Sequence, residues 1–151
     1  GELTDLLNVE FTFGESHVKL TQTGYIEKMV KTYLPSAVPS GQSCKVPCDQ
    51  YLAQHVADAL TQEIASIDRA LLARYQGIVG ALLYCAVQTR PDVAYSVGML
   101  CRAMGRPTPE LMLDAVRVLC YLNRTRHLGL RFEPDQTDLS GQSDSDWAVR
   151  H

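Results

Sequence analysis

The sequence predicts an α+β chain with an N-terminal β-hairpin, a central helical bundle and C-terminal strands. Three observations predict it. Strand-like alternation flanks a glycine turn near the N-terminus, apolar residues recur at helical spacing through the middle, and strand character returns after residue 127. At 151 residues, 46% hydrophobic and 21% charged, the chain carries enough apolar side chain to bury a core.

The elements follow in order. Leu6 to Thr12 (LLNVEFT) and His17 to Gln22 (HVKLTQ) are strand-forming runs around Phe13-Gly14-Glu15-Ser16, where the glycine supplies a turn. Tyr25, Ile26, Met29, Val30, Tyr33 and Leu34 then form one apolar stripe of a helix that Pro35 ends. The next segment, PSAVPSGQSCKVPCDQ, reads as an irregular connection. A helical pattern runs from about Leu60 to Gln88, broken near Ser66 to Asp68, with IVGALLYCAV its most apolar part. Arg90-Pro91-Asp92 starts another helix, because proline suits the first helical position and an acid suits the first turn, and Gly105 ends it. Thr108-Pro109-Glu110 is a third start signal, with Thr108 as N-cap, for a helix to about Asn123. Strand character resumes at Leu128 to Phe132 and, after a polar turn, at Leu139.

Composition narrows the function classes. No run of eighteen or more apolar residues occurs, and GELTDLLNVE has neither the basic nor the apolar region of a signal peptide. The expectation is an intracellular chain, cytoplasmic or nuclear, with no membrane partner. A start without Met, inside an alternating segment, suggests a piece of a longer polypeptide. Five cysteines make an odd count that suits reduced thiols. Cys44, Cys48 and His55 could form half a zinc site, but no second pair follows at workable spacing, while Cys85, Cys101 and Cys120 sit in apolar helical stretches as core residues.

Net charge is −3, but it is unevenly spread. From Arg90 to Arg131 seven arginines face three acids, an excess of +4, and from Glu133 to Asp146 five acids face no base. Such a split fits a phosphate-holding surface beside a cation-holding one, and it equally fits solvated helix faces.

Linked motifs carry a resemblance. Tyr75, Gly80, Leu83, Tyr84, Thr89, Arg90, Pro91, Asp92, Tyr95 and Val97 match a Y-x4-G-x-L-x-Y…T-R-P-D…Y-x-V pattern. Leu6 to Glu10 is similar to F-L-G-I-E, with Asn8 where glycine is usual, and Leu20 to Tyr25 to a helix start of the form S-Q-x-x-Y. Arg117 to Thr125 is similar to K-R-I-L-R-Y-L-K-G-T, and Gly141 to Ala148 to G-Y-S-D-A-D-W-A. Together these resemble the C-terminal part of the reverse transcriptase of copia-type retrotransposon Pol polyproteins, running into ribonuclease H. The chain departs from that pattern at Leu111-Met112, Val116 and Arg124, where His-Trp, Lys and Gly are common, and the helix that starts at Thr108 is more apolar for the first two changes.

The resemblance implies an organisation and a task. Residues 1–34 would be a palm-edge hairpin and first thumb helix, 35–106 a thumb-like helical region, and 107–151 a connection helix with the first strands of a ribonuclease H-like sheet. Partners would be an RNA–DNA hybrid or primer–template duplex and the remainder of the Pol polyprotein, within a virus-like particle for the parent element, with no small-molecule substrate. Asp144, matching the first acid of S-D-x-D-W, would be a catalytic metal ligand. Asp146, two residues on, projects to the same face of a strand and joins it. Both would hold Mg²⁺ only in the full-length parent, since two-metal hydrolysis needs several carboxylates; no cofactor is expected of this piece. No Y-x-D-D turn of the polymerase kind occurs.

Gln76, Gly80 and Tyr84 fall at i, i+4 and i+8, on one helix face. They resemble the Gln-x3-Gly-x3-aromatic row of a retroviral thumb helix along the minor groove; otherwise Gly80 permits helix packing and Tyr84 is core. Arg117, Arg124 and Arg126 are phosphate candidates. Arg90 either contacts phosphate or pairs with Asp92 or a nearby carbonyl to fix the inter-helix turn, and the helix-start motif favours the structural role. The alternative to nucleic-acid gripping is a non-catalytic helical protein-interaction module, a stranded or domesticated retroelement fragment.

Overall fold

Two residues with positive φ decide how the chain begins. In the computed structural model, which describes residues 4–34, 44–63, 66 and 68–134, Leu7 (φ 54°) and Asn8 (φ 62°) both lie in the left-handed region. The segment read from sequence as one strand therefore folds back: β1 (Asp5–Leu6) pairs with β2 (Val9–Phe13), Leu6 opposite Val9. A two-residue loop with positive φ at both positions is the type I′ turn, whose twist suits a hairpin. Asn8 tolerates that conformation, which explains glycine at this place in the family pattern.

The expected hairpin follows, β2 pairing with β3 (Val18–Thr21), Phe13 opposite Val18. A fourth strand comes from the other end of the described chain. β4 (Leu130–Phe132) pairs antiparallel with β3, Val18 opposite Phe132, giving the order β1-β2-β3-β4. Gly129 makes the approach possible, since a Cβ there would lie 1.9 Å from the Leu20 carbonyl oxygen. Strands therefore stand at both ends with helices between, as α+β composition requires, and the two ends share one sheet.

Among the described residues, five α-helices fill the middle. α1 (Thr23–Tyr33) is clamped to the sheet at its start, where Glu10 accepts from the Gly24 N–H at 2.7 Å and the Thr21 hydroxyl at 3.2 Å. The carboxylate satisfies a backbone donor that a helix leaves free and suits the positive end of its dipole. α2 (Leu52–Thr61) corrects the sequence reading, which began this helical stretch near Leu60. It buries Leu52, Val56 and Ala59, a short stripe that follows directly on the Pro- and Ser-rich connection. α3 (Arg69–Gln88) is capped by Asp68, which accepts from the N–H groups of Ala70 and Leu71 at 2.9 and 3.2 Å. A 3₁₀ turn at Pro91–Val93 leads into α4 (Ala94–Arg102). α5 (Pro109–Arg124) has Thr108 as its cap, Oγ1 accepting from the Leu111 N–H at 3.2 Å.

One core joins all five, with Ile26, Val56, Leu82, Leu100 and Leu119 each at 1% exposure or less. The apolar stripes are interdigitated at the helix interfaces, where burial is worth roughly 25 cal/mol per Å². Cys85 belongs to this core and burial pushes its thiol up to about 12; Cys120 is also buried, its thiol at about 11, and Cys101 is half-buried. At 20 residues and mean hydropathy 1.5, α3 is, among the described residues, the helix long and apolar enough to cross a membrane, and a third of it is buried in the bundle. Among the described residues no strand residue belongs to the core cluster. The sheet stands beside the bundle, and among the described residues nothing covers one side of α3.

Candidate nucleic-acid interface

The row Gln76, Gly80, Tyr84 lies on one side of α3. Gln76 and Gly80 are exposed and Tyr84 is half-buried. A Cβ on Gly80 would meet nothing within 4 Å, so this glycine is not there to let another helix approach. Tyr84 is not core either. Its hydroxyl donates to the Leu7 carbonyl in the β1–β2 turn, and its ring meets Tyr25 edge-on at 5.2 Å and 71°. Gln76 donates to the Met104 carbonyl at 3.3 Å, at the far end of α4. The row is thus pinned at both ends and open at its centre. Leu83 and Val87, 42% and 71% exposed, extend it along α3, and on the neighbouring α4 Tyr95 is exposed and Gly98 again faces open space.

The arginines are placed differently. Arg117 pairs with Asp49 at 3.0 Å and is tied to the segment before α2. Arg126 lies 3.9 Å from Glu27 and donates to the Asn123 side chain at 3.3 Å. Arg124 is exposed in the last turn of α5, where a cation also suits the helix dipole. Arg124 and Arg126 share the end of α5 that faces α1, whereas the α3 row lies between α4 and the β1–β2 turn. The six residues do not form one compact cluster.

Arg90 takes the structural of its two readings. It is 1% exposed, forks onto Asp92 at 2.9 and 2.7 Å, donates to the carbonyl and hydroxyl of Thr125 at 3.0 and 2.6 Å, and lies 5.6 Å from the centre of the Tyr121 ring. Tyr121 donates to the same carboxylate at 2.9 Å. Burial pulls the Asp92 pKa upward, but the Arg90 fork and the Tyr121 hydroxyl outweigh it and hold the carboxyl below its ordinary value. This hub fixes the turn between α3 and α4 to the end of α5, and so sets the angle at which the α3 face is presented.

One constellation escaped the sequence. His55 Nδ1 sits 2.7 Å from Asp114 Oδ2, a buried carboxylate on α5, with Tyr51 stacked on the imidazole at 6.5 Å. The Asp114 contact raises the His55 pKa against a smaller opposing effect of burial, and burial raises that of Asp114 against the pull of His55. A hollow of about 220 Å³ beside them is lined by His55, Asp58, Thr108 and Glu110. Thr108 lines the same hollow, its hydroxyl oxygen accepting from the Leu111 N–H as the cap of α5. The 59-residue separation of His55 and Asp114 left no local spacing signal. Among the described residues no three His, Cys, Asp or Glu side chains gather as a metal site would need, and Asp144 and Asp146 lie outside those residues.

The described residues thus form a helical bundle flanked by a small sheet, with one exposed face on α3 and the arginines spread apart from it. Over part of its length the chain is similar to retrovirus-related Pol polyproteins of transposons. It is 43% identical over 75 residues to the Pol polyprotein from transposon RE1 of Arabidopsis thaliana, covering 49% of this chain and 5% of that one. Against the Pol polyprotein from transposon TNT 1-94 of Nicotiana tabacum it is 28% identical over 130 residues, 85% of this chain and 9% of the relative. The secreted RxLR effector protein 161 of Plasmopara viticola is 44% identical over 75 residues, 49% of this chain and 53% of the effector. The match thus spans about half the effector and under a tenth of either polyprotein. No family model matches the chain, and no solved structure does.

Proposed function

We propose that this chain is the part of a retrotransposon RNA-directed DNA polymerase/ribonuclease H that grips template–primer nucleic acid. The reading gives these residues no complete active site. Nucleotide addition and Mg²⁺-dependent hydrolysis belong to the parent polyprotein, where Asp144 and Asp146 would join further carboxylates around the metal ions. The partner is an RNA–DNA hybrid or primer–template duplex in an intracellular setting. The observation that carries this is Gly80, an exposed glycine at the centre of a helix face with nothing against it. A glycine in a helix interior costs about 1 kcal/mol relative to alanine, and among the described residues no packing offsets that cost here. Close approach of a sugar–phosphate backbone would use the space, with Gln76 bonding a base or sugar edge and Tyr84 bordering the track. Arg124 and Arg126 would hold phosphates further along.

Salt dependence tests it. An RNA–DNA hybrid titrated at rising salt should show log–log slopes of about −0.9 for each phosphate contact. Arg124→Ala and Arg126→Ala should each make the slope shallower by about one such step. No binding by the intact chain at low salt, or binding that salt does not affect, overturns the proposal.

A second reading, a protein-interaction module, is favoured by the exposed Leu83, Val87 and Tyr95 beside Gly80, since apolar side chains suit a protein partner better than phosphates. Failure of hybrid binding together with a fully folded chain would favour it.

A further inference from the structure

The outer edge of the sheet is a second unassigned surface. β4 has β3 on one side and, among the described residues, no strand on the other. One hydrogen bond tells which of its backbone groups face outward. The Gly14 N–H donates to the His17 carbonyl at 2.8 Å, which makes those two a hydrogen-bonded pair, and such pairs alternate along an antiparallel ladder. With Phe13 opposite Val18 and Thr12 opposite Lys19, residues His17, Lys19 and Thr21 turn their backbone groups toward β2. Val18 and Leu20 turn theirs toward β4, so their partners Phe132 and Leu130 bond inward. Arg131 and Glu133 thus direct their N–H and C=O groups away from β3, where no strand stands among the described residues.

We propose that this edge pairs with the same edge of a second copy of the chain, antiparallel about Phe132, joining two four-stranded sheets into one. In that register Arg131 stands opposite the second copy's Glu133, twice, at the hydrogen-bonded positions where both backbones offer free groups. Phe132 meets its own counterpart at the non-hydrogen-bonded position, where facing side chains come closest. Pro134 falls opposite Leu130, also a non-hydrogen-bonded position, so its missing N–H removes nothing from the ladder.

The side chains match the same register. Arg131 and Glu133 already pair at 2.6 Å within one chain, and two copies place these four charges in an alternating square. On the opposite face Phe13, Val18 and Phe132 form a row across β2, β3 and β4, with Phe13 49% and Phe132 56% exposed. A shallow hollow of about 430 Å³ opens beside that row. Edge pairing runs the row into its two-fold mate and brings the exposed Phe132 of each copy against the other. An unprotected edge strand is a template for association. The Arg-x-Glu order of this one is its own complement under a two-fold axis, which selects a second copy as the occupant.

Sedimentation of the full chain over roughly 1–200 µM should show a monomer–dimer equilibrium. Arg131→Glu and Glu133→Arg should each abolish or weaken dimerisation by about tenfold or more, because like charges then face each other. Mixing the two variants should restore dimers, since every cross-edge pair is again opposite in sign. The pair within each chain stays broken in the mixture, so recovery reports the contact between chains alone. A chain that stays monomeric throughout, a mixture that does not associate, or a species larger than a dimer would overturn the proposal.

Discussion

At the scale of single residues, Arg90 shows how a short motif becomes a long-range anchor. Thr-Arg-Pro-Asp was legible as a helix start, and the fork onto Asp92 was legible in its spacing. Thr125, 35 residues away, was not, because no local rule pairs a turn with the end of a later helix. Arg90→Ala should cost about 3 kcal/mol in urea unfolding, the low end for a broken buried pair, since Asp92 is partly exposed and regains water. Arg90→Lys should recover little of it, because an ammonium cannot serve Asp92 and Thr125 in one plane. Asp92, held below the ordinary carboxylate value, contributes stability above its unfolded pKa that is lost as pH falls through its folded one. His55 works in the opposite sense. Its raised pKa means that the stability it gains from Asp114 is fully present below its unfolded value of about 6.5 and is lost as pH rises through the folded value. A pH series of unfolding midpoints should show that decline in the parent chain and lose it in His55→Gln.

At the scale of elements, the helices were the more readable half. Pro91, Pro109 and the Thr108 cap sit where start signals placed them, because capping is local chemistry that tertiary context seldom overrides. α2 was hidden because three buried residues in ten give little periodicity beside a Pro-rich segment. The β1–β2 turn was hidden because leucine gives no turn signal, and Leu7 adopts positive φ against its own preference. Leu7→Gly should raise stability by about 0.5 kcal/mol, the relieved strain of about 1–2 kcal/mol being offset by the flexibility glycine adds to the unfolded chain; thermal unfolding would register it. Gly129→Ala should do the reverse and separate β4 from β3, since backbone stands where the methyl group must go. Loss of amide protection in β4 with the helices unchanged would report it.

At the scale of the molecule, the chain keeps its core inside the helices and puts its two described ends in one sheet. Sequence patterning located both sets of strands, yet pairing between residues more than a hundred positions apart leaves no trace in alternation. The candidate interface was legible in the same partial way. The i, i+4, i+8 spacing placed Gln76, Gly80 and Tyr84 on one face, but only the fold reveals that Gln76 and Tyr84 are anchored to α4 and the β1–β2 turn while Gly80 stands open. Arg117 was chosen as a phosphate ligand from its helix position, and Asp49, 68 residues earlier, already engages it. The central claim, that α3 presents this face to nucleic acid, is tested most directly by Gly80→Leu. Its side chain would enter space that the fold leaves empty, so stability should hold or rise slightly. Measured by fluorescence anisotropy on an RNA–DNA hybrid at low salt, affinity should fall by about tenfold, the effect of losing roughly 1.4 kcal/mol of contact. Undiminished affinity in a fully folded Gly80→Leu chain would contradict the account.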